Sequence, residues 1–421
     1  MNQHLFRHEY GPLVALLTRR LGVGHLAAVE DAVQDALLKA LEHWPHSGEP
    51  EVPSAWLYRV AERRLVSEFR AQRRRQQLLE TLGAGEASEV LPDVEAFADP
   101  PIGFGGELTD AFLKMLFASC HPDLPVHSQL VFTLKSLCGF SIAEIAARLF
   151  MSEANAYKRF SRARQQLRLD ADLSGQLNDA ETERRLEQVH KVIYLMFTEG
   201  YLSSHPDLAI RKDLCDEAIR LGHLLVESRA GQHPESRALL ALMYLHRARL
   251  TTRQDHDGAL VLLEHQQRND WDWGLIVTGL ALLNQAAEGE QLSRFHIEAG
   301  IAAEHCMASS FEQTRWERIA SSYELLERLA PSPMYRLGRA LALAEHQDAE
   351  AGLAVLSTMV LPGWFECSYY WYAVKADLCF RSGHMDDGNG SAGKALSAAP
   401  NQHIRSALKR RFRRYQDFTD T

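Results

Sequence analysis

Strand-like alternation of polar and apolar residues is essentially missing from this 421-residue sequence. So are most of the patterns that announce chemistry. The six cysteines (Cys120, Cys138, Cys215, Cys306, Cys367, Cys379) stand singly, with no Cys-x-x-Cys pair, so neither a zinc site nor a disulfide framework is suggested. Most sit within apolar runs and are expected as buried thiols in a reducing compartment. No apolar run approaches the roughly 18 residues that span a bilayer, and the opening MNQHLFRHEY lacks the apolar core of a signal peptide. The expectation is a cytoplasmic chain without a membrane partner. There is no Walker A pattern and no dinucleotide fingerprint. No paired carboxylates, nucleophile–base set or metal cluster accompany Glu199, so a structural or docking role for it outweighs a catalytic one. His121, His190 and His246 each stand alone among apolar residues, a setting that suits hydrogen-bonded core better than a ligand. No enzyme activity, cofactor or metal is expected. The net charge of −9 excludes nucleic-acid binding through bulk charge, so any such contact must come from local patches.

What is present is helical periodicity almost throughout, and the fold class is all-α. A first block covers residues 1–80. Leu5, Val14, Leu17 and Leu21 mark one helix, and Val33, Leu37, Leu38 and Leu41 the apolar side of another. Pro45–Pro53 reads as a loop, with Pro53 at a first-turn position where proline is tolerated. Residues 81–107 are rich in Gly, Pro and acids and read as a flexible linker. A second block covers 108–170. The remaining 171–421 read as a helical-repeat extension. Pro333–Met359 and Tyr370–Pro400 each resemble a helix pair of a tetratricopeptide-like period, about 34 residues. Arg237–Glu264 reads as a weaker third pair.

Two stretches carry local positive charge. In FSIAEIAARLFMSEANAYKRFSRARQQL (Phe140–Leu167), Ser141 and Glu144 form an S-x-x-E capping box. Ile142, Ile145, Ala146 and Leu149 give the first helix one buried face. Phe150-Met151-Ser152 is the turn, with Ser152 placed as the next N-cap. The second helix carries Lys158, Arg159, Arg162, Arg164 and Arg168 with no acid between them. That is a helix-turn-helix whose second helix suits a major groove; a solvated basic face is the plain alternative. Phe160 and Leu167 read as core. Upstream, Trp56, Tyr58 and Arg59 open a helix that runs through Arg63, Arg64 and Arg70 to Arg73-Arg74-Arg75. Aromatics among arginines suit unpaired bases and their phosphates, although Trp56 fits a core anchor equally well.

The collinear order of DAVQDALLKALEHWP (Asp31–Pro45), PSAWLYRVAERRLVSEFRAQRRR (Pro53–Arg75), a linker and the helix-turn-helix resembles the bacterial extracytoplasmic-function sigma factors. The first two segments look like sigma region two, and the third like region four. LKMLFASCHPDL (Leu113–Leu124), YLMFTEGYLSS (Tyr194–Ser204), LCDEAIRL (Leu214–Leu221), DGALVLLEHQQRNDWD (Asp257–Asp272) and LAPSP (Leu329–Pro333) extend the resemblance to a subgroup with a tetratricopeptide-like C-terminal extension.

That resemblance implies binding to core RNA polymerase through the β′ clamp helices and the β flap, and to promoter DNA. It implies that Asp31, Gln34, Asp35 and Leu38 dock on the polymerase, where acids and an amide at helical spacing can face a basic coiled coil. Trp56, Tyr58, Arg59, Arg63, Arg64 and Arg70 would take the −10 element. Tyr157, Lys158, Ser161 and Arg162 would face the −35 element. Tyr157 stands where a basic residue is frequent, which disfavours bidentate guanine reading there and leaves more to DNA shape. The extension is expected to regulate activity through intramolecular contact with the sigma domains. An ordinary helix-turn-helix regulator with a sensory repeat domain is the competing reading; it has no use for a melting helix.

Overall fold

The computed structural model describes residues 3–81, 104–149, 151–169, 179–202, 210–255, 260–289, 291–363 and 365–416. These residues form helices joined by turns and irregular segments, with one isolated bridge between Gln254 and Leu260. The chain divides into two compact units, Met1–Val192 and Ile193–Thr421.

The first unit opens with α1 (Gln3–Leu21), α2 (Leu26–Ser47) and α3 (Pro53–Thr81). Their core is built from residues at helical spacing: Leu13, Val14 and Leu17 on α1, Val29, Val33 and Ala36 on α2, and Leu57, Ala61, Leu65 and Phe69 on α3. Each large apolar side chain among them contributes roughly 1.5–3 kcal/mol on burial. The helix expected to stop before Pro45 continues to Ser47. Pro45 lies in the last turn, where its missing N–H leaves one carbonyl unbonded at little cost. Gly48, at φ 79°, then ends the helix by bonding to the Trp44 carbonyl. Leu38 and Leu41, expected on the apolar side, are both exposed. Val29, Val33, Ala36 and Ala40 already fill the inward face of α2, and the two leucines lie around the helix from it.

The second block has α4 (Phe104–Ser119), α5 (Val126–Phe132), α6 (Ile142–Arg148) and α7 (Glu153–Leu169). The expected linker is shorter than its composition suggests, because α4 begins at Phe104. Gly105 and Gly106 are tolerated in a first turn whose N–H groups have no intrahelical partner anyway. The linker residues 82–103 lie outside the described ones, as does Phe150 of the expected turn. A π-turn, Thr133–Leu137, continues α5. Phe132 stacks on Phe160 of α7 with centroids 5.7 Å apart.

The two blocks share one compact unit. α1 crosses the π-turn so closely that a Cβ on Gly11 would overlap the Leu137 carbonyl and come within 2.9 Å of Phe112. Beside that crossing, the Ser136 hydroxyl donates to Glu30 at 2.7 Å, and Lys135 lies 3.5 Å from the same carboxylate. Burial holds the Glu30 pKa above its ordinary value, against the pull of Lys135 and Ser136. Arg19–Asp110 (2.9 Å) closes one edge of the seam, and an Arg168 bond to the Gly24 carbonyl (2.8 Å) closes another.

The boundary between units falls within α8 (Asp179–Tyr201). The second unit continues with α9 (Lys212–Glu227), α10 (Pro234–Arg247), α11 (Trp273–Ala286), α12 (Arg294–Met307) and α13 (Trp316–Leu329). It ends with α14 (Pro333–His346), α15 (Ala349–Ser357), α16 (Tyr369–Arg381), α17 (Met385–Ala398) and α18 (Gln402–Gln416). The segments read as helix pairs at 333–359 and 370–400 contain α14–α15 and α16–α17. Gly352 lets the first pair close, since a Cβ there would meet the Ala340 carbonyl at 2.7 Å. The third expected pair, within 237–264, does not form. α10 packs against α11 instead, and the described residues of 248–272 between them are irregular apart from short 3-10 turns. Five cysteines are buried as expected, and Cys367 is exposed.

Candidate functional site

The helix-turn-helix assembles from local signals. Ser141 accepts from the Glu144 N–H at 3.1 Å, and the Glu144 carboxylate accepts from the Ser141 N–H at 2.8 Å. Both orphan donors at the start of α6 are thereby satisfied. Ser152 accepts from the Asn155 N–H at 3.2 Å and starts α7. Ala156, Phe160, Ala163 and Leu167 turn inward. The residues between them must turn outward, so Tyr157, Lys158 and Arg162 are exposed and Ser161 is half-buried. Tyr157 is 59% exposed, a large ring facing solvent. Arg168, further along, is engaged with Gly24 rather than presented.

On α3, Trp56, Arg59, Arg63, Arg70 and Arg74 fall within an arc of about 60° at 3.6 residues per turn. Arg59, Arg63, Arg70 and Arg74 are exposed. Trp56 is half-buried and meets Trp44 edge-on at 5.5 Å and His43 at 6.5 Å. This stripe holds an aromatic rim and a row of guanidinium groups suited to phosphates. Arg74, from the Arg73-Arg74-Arg75 run, joins it at i, i+4 spacing from Arg70. Tyr58 lies off the stripe and is buried: its ring sits 5.3 Å from Phe104 at 72°. Its hydroxyl accepts a bond from Arg20, whose guanidinium also covers the ring at 5.4 Å. Burial pushes the Tyr58 pKa up to about 12.

On α2, Asp31, Gln34 and Leu38 are exposed and Asp35 is half-buried. The four share one outward face, which Leu41 extends by one turn. Lys39 (2.9 Å) and Arg64 (2.8 Å) hold the Asp35 carboxyl below the usual range. Arg64 lies outside the stripe, and its pair with Asp35 ties α3 to the outward face of α2.

Among the described residues, no group of three or more His, Cys, Asp and Glu could hold a metal ion. No described helix is long and apolar enough to cross a membrane.

Comparison with known proteins matches residues 5–75 to Sigma-70 region 2 and residues 114–167 to Sigma-70, region 4. Residues 185–287 match a family of unknown function, DUF6596. An uncharacterized protein of Rhizobium meliloti (strain 1021) is 34% identical over 380 residues, covering 90% of this chain and 87% of the relative. The ECF RNA polymerase sigma factor SigL of Mycobacterium tuberculosis is 30% identical over 169 residues, 39% of this chain and 88% of the relative. No solved structure matches.

Proposed function

The chain belongs to the extracytoplasmic-function sigma factors, and on that premise we propose how its helices divide the work of promoter recognition. α1–α3 form region two and α4–α7 form region four. As a family these are transcription initiation factors and not enzymes: they bring core RNA polymerase to promoter DNA. In our reading, the Asp31–Gln34–Asp35–Leu38 face of α2 docks on the β′ clamp helices, and region four meets the β flap. The Trp56–Arg70 stripe takes the −10 element, and Tyr157, Lys158, Ser161 and Arg162 take the −35 element. The protein would act in the cytoplasm, where the polymerase is. The observation that carries this is the exposed reading face of α7, fixed by the Ser141–Glu144 box, on the same chain as the α3 stripe. A groove-reading helix and a basic aromatic helix together suit a protein that both docks on a duplex and opens it.

Size adds a requirement. The −35 and −10 elements are by name roughly 25 base pairs apart, about 85 Å of B-DNA. A compact body the length of the first unit, Met1–Val192, has a radius of gyration of only about 16 Å. The two regions cannot reach both elements while packed together. The packed arrangement is therefore a resting one, which parts along the Gly11–Leu137 and Glu30–Ser136 seam when the promoter is engaged. Parting would also uncover Tyr58, the −10 residue that Phe104 covers. The helical extension beyond region four would bias that equilibrium.

Run-off transcription with bacterial core polymerase and a promoter library tests the function. Specific starts that depend on the protein are the expected result. Absence of both starts and core binding would overturn it. Truncation after Leu169 tests the extension, since unchanged promoter activity and polymerase affinity would remove its regulatory role.

A further inference from the structure

The irregular segment between α10 and α11 gathers one buried and two half-buried arginines with little negative charge around them. Arg249 is only 6% exposed. Its guanidinium lies 5.1 Å from the centre of Trp271, and that of Arg268 lies 4.8 Å from the same ring. Arg253 stacks on Tyr201 at 3.5 Å. Among the described residues no carboxylate forms an ion pair with any of the three, although the exposed Glu312 acts on Arg268 from a longer distance. A buried guanidinium without a counter-charge is costly, and a half-buried one less so, so their compensation has to be found.

Part of it comes from helix ends. Arg253 donates to the Tyr201 carbonyl at the C-terminus of α8 (2.6 Å). Arg268 donates to the His305 and Ala308 carbonyls at the C-terminus of α12 (2.5 and 2.8 Å) and to the Thr314 hydroxyl. A helix C-terminus carries roughly half a negative charge. Two of them offset about one of the three positive charges, and Glu312 offsets part of another from the surface, leaving about one to two. Arg249 is the arginine left over. Its Nε is buried without a hydrogen-bond partner, and it caps no helix.

The surroundings can donate but do not neutralise. His246 and His305 each have a buried Nδ1 without a partner. Burial, with Arg249 next to it, keeps both rings uncharged: the His246 pKa is held well below its ordinary value and the His305 pKa is lowered to about 3. Two neutral imidazoles and a guanidinium can all donate to an oxyanion, and Trp271, the ring beside Arg249 and Arg268, has its own N–H committed to Thr252 at 2.9 Å.

We propose that Arg249, Arg253 and Arg268, with His246 and His305, form a binding site for a phosphate group. A phosphate carries between one and two negative charges at neutral pH and accepts several hydrogen bonds, which matches the residual charge and the free donors. A guanidinium fork suits it geometrically. The group arrives either as inorganic phosphate or on a small phosphomonoester, and both present the same oxygens to the site.

The test is thermal unfolding of the full chain in sodium phosphate, in glycerol 3-phosphate and in sodium chloride at matched ionic strength, with Arg249→Gln alongside. We expect a saturable rise in Tm of a few degrees over chloride that is lost in the variant. A rise with inorganic phosphate identifies the free ion as sufficient. A rise only with glycerol 3-phosphate supports the site and assigns it to an ester. Equal midpoints in all three salts overturn the proposal. So does an Arg249→Gln variant whose Tm falls equally in chloride and phosphate, the pattern of a purely structural arginine. Should that variant fail to fold, broadening of the phosphorus-31 resonance of inorganic phosphate by the unaltered protein is expected, and its absence overturns the site. None of these readings depends on promoter activity.

Discussion

Arg64 lies 2.8 Å from Asp35, so a residue assigned to promoter DNA and one assigned to the polymerase hold each other across α3 and α2. The pair is partly exposed, with side-chain exposures of 39% and 25%. Its direct worth is about 0–1 kcal/mol, but it ties the two proposed binding surfaces together. Asp35→Ala is expected to weaken core-polymerase binding and also to alter −10 selectivity, because Arg64 loses its anchor. A double-mutant cycle with Arg64→Ala, read by polymerase affinity, should show a coupling of about 0.5–1 kcal/mol. Strict additivity would mean that the two surfaces act separately.

The seam has a position that a single side chain can wedge. Gly11→Val places carbon where the Leu137 carbonyl and Phe112 already stand. The expected cost to the packed arrangement is about 1–3 kcal/mol. Fluorescence energy transfer between labels on α2 and α7 should fall, and Tyr58 should become accessible to iodination. Core binding should tighten if the packed form competes with it. Unchanged transfer would refute the wedge.

Glu30 gives the seam a pH dependence whose sign is fixed. Its folded pKa is raised above 4.5, so the packed form takes up a proton more readily than the parted one. Its contribution to packing is complete below the ordinary value and is lost as pH rises through the raised one. The groups facing it are Lys135 and Ser136 from the π-turn, Asp31 from its own helix and Tyr10 from α1. Glu30→Gln keeps an acceptor for Ser136 and removes the titration. Energy transfer across the seam should vary with pH near and above 4.5 in the parent and stay flat there in the variant.

On the reading helix, Tyr157→Arg is expected to create a guanine contact worth about 1–3 kcal/mol at one −35 position. Lys158→Ala should instead weaken binding evenly across sequences and lower the salt slope by about one. Selection from a randomised −35 library distinguishes the two. A Tyr157→Arg variant that selects the same sequences as the parent would place this position away from the bases.

Much of this is legible in the sequence. Ser141 and Glu144 announce a cap that needs only three-residue spacing, and Phe160 and Leu167 announce the inward face of α7. Such features depend on contacts within a turn or two. Tyr58 reads as a presented aromatic because the helix it opens is basic. Phe104, across the linker, and Arg20, on another helix, cover it, and no local pattern reports partners that distant. Leu38 and Leu41 show the reverse: their apolarity suggests core, while Val33 and Ala36 already occupy the inward positions. The segment 237–264 has the composition of a helix pair. Arg253 and Arg268 instead hold an irregular course by bonding to helix ends elsewhere in the unit, which spacing alone does not encode.

The π-turn at Thr133–Leu137 bears on how the seam releases. An i→i+5 winding carries about one residue more per turn than an α-turn. Rewinding it to α geometry would swing the residues beyond it by about 100° around the helix axis. Ser136 would then leave Glu30, and the Leu137 carbonyl would leave its place over Gly11, in a single step. If the two regions part as proposed, the grip between them would be a matter of helical pitch, released by a change of register rather than by the gradual loss of contacts.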